Sequence, residues 1–284
     1  MATTRAVIQA RATEVAKDSG QLAFPFCPYT VASTEEIQIE ARQDMHGATG
    51  AIFLTDDPVI FPPKNMSEGL LNFTLGHELA HYFLSDHPAQ IIADGGKHFS
   101  RGGAFSTKKP IIEREADFFS ANFLMPRGLT TRLLEKNKVG LDGILNLHET
   151  ARSSITSAAI RTSQCDPYPI MMVMVGNDGQ VEYAFTSPSF RDSIPTRQLA
   201  RDSIIPNASP AYHMSNGSGT YSGEREQRVS SSKEWFGEGN RRIDEECYHL
   251  GPYGTLVILT GEAKWEEDDE EEELIESWTP RFKR

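Results

Sequence analysis

The clearest pattern in the chain is the spacing of apolar residues between positions 50 and 124. Two short apolar runs at 51–54 and 59–61 stand on either side of an acidic, proline-containing turn and predict two strands. From 70 to 84 the apolar residues recur with the period of an α-helix, and the same period returns from 111 to 124. We therefore expect a pair of strands followed by two amphipathic helices.

Helical spacing is also found on both sides of this region. Residues 6–16 predict a helix, and residues 129–162 predict several short helices interrupted at Gly140 and near residue 153. Residues 86–110 are rich in Gly, Ser, Lys and His, and their length predicts an irregular loop of functional importance.

The character of the chain changes from helical to extended near residues 165–169. Residues 170–175 and 181–185 flank an Asn-Asp-Gly turn and predict a β-hairpin, and 254–259 predicts a further strand. The change indicates a domain boundary between residues 165 and 166. Residues 203–232 are rich in Ser, Gly, Asn and Arg and predict an irregular segment. Residues 266–273 form an acidic run typical of a solvated segment.

Composition and charge narrow the classes of function. The 284 residues carry a formal net charge of -12, which disfavours direct binding to nucleic acid, because affinity for the phosphate backbone depends on clustered Lys and Arg. The three cysteines are widely spaced and odd in number, so no disulfide framework is expected. The chain has neither the apolar core of a signal peptide nor a run of apolar residues long enough to span a membrane. We therefore expect a cytoplasmic protein with no membrane partner.

Residues 77–81, His-Glu-Leu-Ala-His, lie inside the helix predicted for 70–84. Residues four apart project from one face of a helix, so His77 and His81 can reach one metal ion while Glu78 leans toward a water beside it. Zn²⁺ lowers the pKa of such a water, and the carboxylate takes up its proton. The segment predicts one zinc ion per chain with Glu78 as general base. Two solvated histidines on a surface helix are the alternative, which the apolar neighbours Leu75 and Leu79 disfavour.

A catalytic zinc ion needs a third protein ligand, and two residues are candidates. His87 stands where the pattern HExxHxxGxxH has its third histidine, but Leu84 replaces the glycine that lets the chain leave the helix sharply. Glu113 lies on the next predicted helix and shares a face with Asp117, which could accept a hydrogen bond from the free ring N–H of a ligating histidine. The competing interpretation of this helix is a solvated acidic face, to which we assign Glu115. We favour Glu113 because of Leu84 and keep His87 as the alternative.

Two stretches of the chain carry a family resemblance. The sequence FTLGHELAHYFL at 73–84, followed by EREADFFSANFLMP at 113–126, resembles the ImmA/IrrE family of metallopeptidases, with its HExxH and ExxA(D/N)xFAxxLLMP patterns. Segments 95–106 and 276–282 are also similar to segments of that family. The chain departs from the pattern at Ser120, where alanine is usual, and we expect this change to affect packing more than chemistry.

The resemblance implies a gluzincin-type site and a substrate class. It implies that His77, His81 and Glu113 bind zinc, that Glu78 is the general base and that Asp117 supports a ligand from behind. Members of the family cleave helix-turn-helix repressors and so switch on stress genes or mobile elements. The implied function is therefore a zinc endopeptidase that acts in transcription regulation and has a repressor protein as its partner.

The resemblance also implies an α+β fold with two domains. A zincin-like helical peptidase domain with a short β-sheet would span 1–165, and a C-terminal mixed α/β, sensor-like domain with the acidic segment would span 166–284. Within the first domain, 128–165 could form a helix-turn-helix-like subdomain. Helices that support the peptidase core are the favoured alternative, because only Arg152 and Arg161 supply positive charge around residues 153–162.

Two further residues and two other functions remain open at this point. His98 and Arg101, in the segment 86–110, are candidates to line the cleft and stabilise an oxyanion. A regulatory protein-binding module with a structural or degenerate metal site is one alternative function. A zinc hydrolase of another substrate class, such as an amidase or aminopeptidase, is the other. Glu78 favours catalysis, because a purely structural metal site does not need it.

Overall fold

The computed structural model describes residues 4–101, 109–195, 199–216 and 222–262. Within these residues the chain forms eleven α-helices and two β-sheets, a mixed α/β architecture. The elements before residue 166 are α1 (Arg5–Asp18), α2 (Pro28–Thr34), β1 (Gln38–Ile39), β2 (Ala48–Phe53), β3 (Val59–Phe61), α3 (Glu68–Phe83), α4 (His87–Ala93), β4 (Lys97–Arg101), α5 (Ile111–Leu124), α6 (Arg127–Glu135), α7 (Leu141–Ala151) and α8 (Ile155–Cys165). The elements after it are β5 (Ile170–Val175), β6 (Val181–Thr186), α9 (Pro188–Ser193), α10 (Pro210–Asn216), β7 (Arg225–Ser231), α11 (Ser232–Phe236), β8 (Arg242–His249), a 3₁₀ turn (Gly251–Tyr253) and β9 (Thr255–Gly261).

The first sheet has the strand order β1-β3-β2-β4 and lies against α3. Strand β1 is parallel to β3, whereas β2 is antiparallel to both β3 and β4. Gly50 of β2 pairs with Ser100 of β4, and Ile52 pairs with His98. Residues two apart in a strand point to the same side, so these four residues share one face of the sheet. Ile52 is fully buried on that face. The edge strand β4 thus carries His98 toward the side of the sheet on which α3 packs.

Helices α3 and α5 pack closely because small residues face each other between them. A Cβ atom added at Gly76 of α3 would lie 2.6 Å from the Oγ of Ser120 on α5. The hydroxyl group of Ser120 donates a hydrogen bond to the backbone oxygen of Phe73 at 2.8 Å, and Ala116 is fully buried. The expectation that Ser120 acts on packing agrees with these contacts. The close approach sets α5 beside the helix that carries His77, Glu78 and His81.

The second sheet is antiparallel throughout, with the order β6-β5-β9-β8-β7. All six residues of β5 are buried, because both faces of this strand are covered. One face, including Met172 and Ile258, joins the hydrophobic core formed by the helices that precede residue 166. The other face, including Val173 and Leu259, packs with α9 and α10 in a second core. The first core therefore extends across the predicted boundary at residue 165.

Several expected elements are present, whereas two segments expected to be irregular contain helix and strand, and one strand was not predicted. The helices expected at 70–84 and 111–124 are α3 and α5, and the expected hairpin is β5 and β6. The loop expected at 86–110 contains α4 and β4, because the strand is formed by pairing with β2, which is distant in sequence. The irregular segment expected at 203–232 contains α10 and β7, and β8 was not predicted at all. Strand β7 lies at the edge of the sheet, where it pairs with β8. Most of its residues are polar and exposed, so it lacks the alternation of apolar and polar residues by which a strand is recognised.

Leu84 shows how the chain leaves the helix that carries the two histidines. Helix α3 ends at Phe83, and Leu84 has φ -80° and ψ 125°, an extended conformation that any residue can adopt. The missing glycine is consistent with this exit, since no positive φ occurs there.

The segment 128–165 forms most of α6 together with α7 and α8, with α8 packed on β5 and β6. Arg161 is buried against the end of α5, so it offers no charge to a nucleic acid. In the described part of the chain, no helix is both long and apolar enough to cross a membrane. The acidic run 266–273, the segment 276–282 and residues 102–106 lie outside the described residues.

Candidate metal centre and active site

Three of the predicted site residues, His77, His81 and Glu113, meet where α3 faces α5. The Nε2 atoms of His77 and His81 are 3.2 Å apart. One carboxylate oxygen of Glu113 lies 3.3 Å from Nε2 of His81, and the other lies 3.6 Å from Nε2 of His77. One ligand atom from each of the three residues falls within 4.8 Å of the others, so this group could hold a metal ion. His81 follows His77 by one turn of α3, and α5 brings the third residue.

The site contains buried carboxylate oxygens without hydrogen-bond partners among the described residues, which a cation would fit. Both side-chain oxygens of Glu78 and the Oε2 atom of Glu113 are buried, and none has a hydrogen-bond partner among the described residues. Burial raises the pKa of Glu78 above its ordinary value. Burial also opposes ionisation of Glu113, but the neighbouring rings of His77, His81 and His98 hold its pKa well below the usual range. A divalent cation would compensate these carboxylates, so the residues present fit a metal ion.

Gly50 leaves room for the carboxylate of Glu78, a role that was not predicted from the sequence. A Cβ atom built on Gly50 would lie 2.3 Å from Oε1 of Glu78 and 3.0 Å from the Cγ2 atom of Thr74. Glu78 therefore lies against the backbone of β2, with no side chain between them. Gly50 directly precedes the strand predicted for 51–54, and a glycine in a strand often marks the close approach of another group.

Asp117 and Lys109 lie behind His77. The Nδ1 atom of His77 is 2.8 Å from a carboxylate oxygen of Asp117, and the Nζ atom of Lys109 is 2.6 Å from the other oxygen. Burial opposes the charged form of His77, but its bonds to Asp117 and Glu113 and the charge of Glu78 raise its pKa to about 9. The structure thus places Asp117 where a carboxylate orients a histidine ligand. Lys109 was missed, and only its position eight residues before Asp117 pointed to it.

His98 lies beside the cluster, whereas Arg101 does not. The Nε2 atom of His98 is 2.7 Å from Oε1 of Glu113, and its ring centre is 4.3 Å from that of His81. Arg101 is exposed at the end of β4 and makes none of the described contacts with the cluster. The structure therefore brings one of the two cleft candidates to the site.

His87 contacts the opposite side of His81. Its Nδ1 atom is 3.1 Å from Nδ1 of His81, while the Nε2 atom of His81 faces His77 and Glu113. His87 therefore approaches the side of the His81 ring that points away from His77 and Glu113. Its own Nε2 atom is 3.1 Å from a carboxylate oxygen of Glu115, whose side chain is only 11% exposed. The assignment of Glu115 to a solvated face was wrong, because α4 covers it with His87.

A comparison with protein families identifies the domain that holds this site. The family model described as the IrrE N-terminal-like domain, peptidase family M78, matches residues 34–163. Residues 34–163 form an M78 peptidase domain. The resemblance to the ImmA/IrrE family is thereby confirmed for this stretch. The M78 domain contains the first sheet and every residue named above for the site.

The similarity to solved structures covers more of the chain than the M78 domain does. A Mycobacterium tuberculosis transcriptional regulator superposes with a TM-score of 0.59 and 14% sequence identity, covering 90% of this chain and 76% of that one. At this identity the match concerns the fold alone, and its coverage extends beyond the M78 domain. No curated protein matches the sequence at a significant level.

Proposed function

We propose that this protein is a cytoplasmic zinc-dependent endopeptidase that cleaves a helix-turn-helix transcriptional repressor. The observation that carries the enzymatic part is the buried carboxylate of Glu78, which has no hydrogen-bond partner among the described residues and lies beside His77, His81 and Glu113 in an M78 domain. Burying a carboxylate without a hydrogen-bond partner costs stability, and such groups cluster at functional sites. A purely structural metal site has no need of it.

The residues of the site divide into ligands, base and support. His77, His81 and Glu113 would hold one Zn²⁺ ion, which supplies polarisation of the scissile carbonyl and a lowered pKa for the attacking water. Glu78 accepts the proton of that water as the oxygen attacks the carbonyl carbon. It then passes the proton to the amine nitrogen as the C–N bond breaks. One carboxylate thus serves as base and then as acid, and no net proton is lost.

His98 is the residue best placed to contact the substrate from the edge strand. Its Nε2 atom bonds to Glu113, and the ring is partly exposed at the border of the cluster. An N–H group in this position can donate a hydrogen bond to Glu113 or to the carbonyl oxygen that becomes negative. We propose the second role during the reaction.

The substrate class rests on the family and not on the geometry of the site. The M78 match supports a regulatory protease, and the similar solved structure bears the description of a transcriptional regulator. We propose that the M78 region is zincin-like and that residues 166–284 form a sensor-like domain. The antiparallel sheet with helices α9 and α10 on one face supports a separate role for that part.

A Glu78→Gln variant tests the proposed chemistry. The amide cannot take up the proton, so we expect cleavage of a co-encoded helix-turn-helix protein by the zinc-loaded wild type and none by the variant. Zinc content of the two proteins should be equal, because Glu78 is not a proposed ligand. Cleavage by the variant at the wild-type rate would rule out the mechanism. Zinc-loaded wild type that cleaves no such protein would favour a binding function.

The choice of third ligand is tested by metal content. We expect Glu113→Ala to lose stoichiometric zinc, because it removes one of three protein ligands. His87→Ala should retain zinc at saturating concentration, since His87 contacts the Nδ1 atom of His81 and not the Nε2 atom proposed to bind the metal ion. Loss of zinc from His87→Ala but not from Glu113→Ala would reverse the assignment.

A further inference from the structure

We propose that His87 and Glu115 are positioning residues that hold His81 in the ring orientation and tautomer needed to bind a metal ion. The inference rests on the proposed zinc site. His81, His87 and Glu115 form a chain of hydrogen bonds that leads from the site to α5. It gives His87 a role that differs from that of a third ligand.

The two distances in the chain fit one arrangement of protons. The Nδ1 atoms of His81 and His87 are 3.1 Å apart, so one of them donates and the other accepts. If Nε2 of His81 offers its lone pair to a metal ion, its proton must be on Nδ1, which then donates to Nδ1 of His87. The proton of His87 is then on Nε2, which donates to the carboxylate of Glu115 at 3.1 Å. The carboxylate at the end can only accept, and this orders the whole chain.

The path of the backbone places His87 over His81. Helix α3 ends at Phe83, and the backbone N–H of His87 donates to the oxygen of Leu84 at 3.0 Å in the turn that follows. Helix α4 begins at His87 with a proline in its first turn. His81 and His87 are both buried, so their hydrogen bond is shielded from water. The turn therefore holds the side chain of His87 at a set position behind the ligand.

The two histidine ligands have separate supports. His77 is held by Asp117, which is bonded to Lys109, whereas His81 is held by His87, which is bonded to Glu115. All three acidic residues belong to α5. Glu113 is a proposed ligand, Asp117 supports His77, and Glu115 supports His81 through His87. A substitution in one support should leave the other intact. This separation makes the role of His87 testable by itself.

The test measures zinc affinity and the visible spectrum of the cobalt-substituted protein. The variants are His87→Phe, Glu115→Gln and the double variant, and the matched control is His249→Phe. His249 is also buried and also bonded through Nδ1, to Thr255, but it lies in the second sheet. We expect a loss of zinc affinity of about 10-fold to 100-fold for His87→Phe and a smaller loss for Glu115→Gln. The control should match wild type in zinc affinity.

The double variant separates a positioning chain from a general loss of stability. Because Glu115 acts through His87, Glu115→Gln should add no further loss of zinc affinity to His87→Phe. The cobalt d–d bands should change in His87→Phe and not in His249→Phe. Should His87→Phe fail to fold, Glu115→Gln alone carries the test, since its side chain is at the edge of the buried region.

Two outcomes would overturn the inference, and they are distinguishable. The positioning role alone would be refuted if wild type binds zinc and both His87→Phe and Glu115→Gln equal it in zinc affinity and cobalt spectrum. Wild type that binds no stoichiometric zinc would refute the proposed function and this inference together.

Discussion

Gly50 and Glu78 are in contact across the space between β2 and α3, where a side chain on the strand would displace the carboxylate. A methyl group at Gly50 would approach Oε1 of Glu78 to 2.3 Å, much closer than any real Cβ contact. The displaced atom belongs to the end of a flexible side chain, so the fold can tolerate the change more easily than the chemistry can. Gly50 thus leaves the space that the carboxylate of Glu78, the proposed general base, occupies.

We therefore predict that Gly50→Ala lowers peptidase activity while zinc binding is retained. A shift of about 1 Å in a reacting group can reduce the rate on the order of 100-fold. The measurement is cleavage rate and zinc content of the same preparation. Gly128→Ala is the matched control, because a Cβ atom there meets nothing within 4 Å. Full activity in Gly50→Ala would show that Glu78 does not need its present position.

The contact between α3 and α5 sets the distance between Glu113 and the two histidines. Gly76 and Ser120 face each other at this contact, and a Cβ at Gly76 would lie 3.3 Å from Cβ of Ser120. Unlike the contact at Gly50, this one involves atoms close to the backbone of the neighbouring helix. Crowding here must move a helix or strain it.

Gly76→Ala should lower the free energy of unfolding by about 1–3 kcal/mol, as overpacking commonly does. Ser120→Ala should cost about 1 kcal/mol through the loss of its hydrogen bond to Phe73. The double variant should be more stable than the sum of the two effects predicts, because removing the hydroxyl relieves the crowding. Urea denaturation of the three proteins measures this coupling. Additive effects would contradict the close contact.

Arg161 of α8 binds the C-terminal end of α5. Its Nε atom donates to the backbone oxygen of Met125 at 2.8 Å, and an Nη atom donates to the side-chain oxygen of Asn122 at 2.8 Å. A cation at a helix C terminus interacts favourably with the exposed carbonyl groups. Burial lowers the pKa of Arg161, but the group remains charged because its ordinary value is so high.

We expect Arg161→Ala to destabilise the protein by about 2–4 kcal/mol, because it leaves buried acceptors without donors. Arg127→Ala is the control. Arg127 makes comparable bonds to the backbone oxygens of Gln164 and Cys165 at 3.0 and 3.2 Å, but it is exposed. Its loss should cost less than about 1 kcal/mol. Thermal and urea unfolding of both variants measures the two losses of stability. Equal losses would contradict the proposed importance of burial.

At the scale of the whole molecule, the M78 domain and the second sheet share a hydrophobic core. Met172 and Ile258 of the second sheet are buried with residues of the preceding helices. Glu246 of β8 accepts a hydrogen bond from the backbone N–H of Leu141 at 2.9 Å, at the start of α7. The two parts are therefore joined by burial and by polar contacts, although a change of secondary structure separates them in sequence.

The shared core predicts a single cooperative unfolding transition for the full chain. The calorimetric enthalpy should equal the van't Hoff enthalpy, and circular dichroism should follow the same curve. A chain ending at residue 165 should unfold at a lower temperature and bind a hydrophobic dye, because the helices lose their cover. Two separate transitions in the full chain would instead support the independent domains 1–165 and 166–284.

The sequence by itself determined the residues whose geometry is local. His77, Glu78 and His81 were selected by their spacing on one helix. Glu113 and Asp117 share a face of another helix, and Leu84 and the family resemblance favoured Glu113 over His87. Apolar runs likewise indicated β2, β3, β5 and β9. These inferences need only the contacts of a residue with neighbours along its own element.

Only the tertiary structure decided the features that depend on residues far apart in the chain. Gly50 lies against Glu78 because β2 packs on α3, and Glu115 meets His87 because the turn after α3 brings the start of α4 to α5. The polar strand β7 exists because β8 supplies its hydrogen bonds, since its own residues have little tendency to form a strand. Contacts of this kind leave no period in the sequence. The proposed ligands could thus be inferred from helical spacing, whereas the contacts behind them depend on packing.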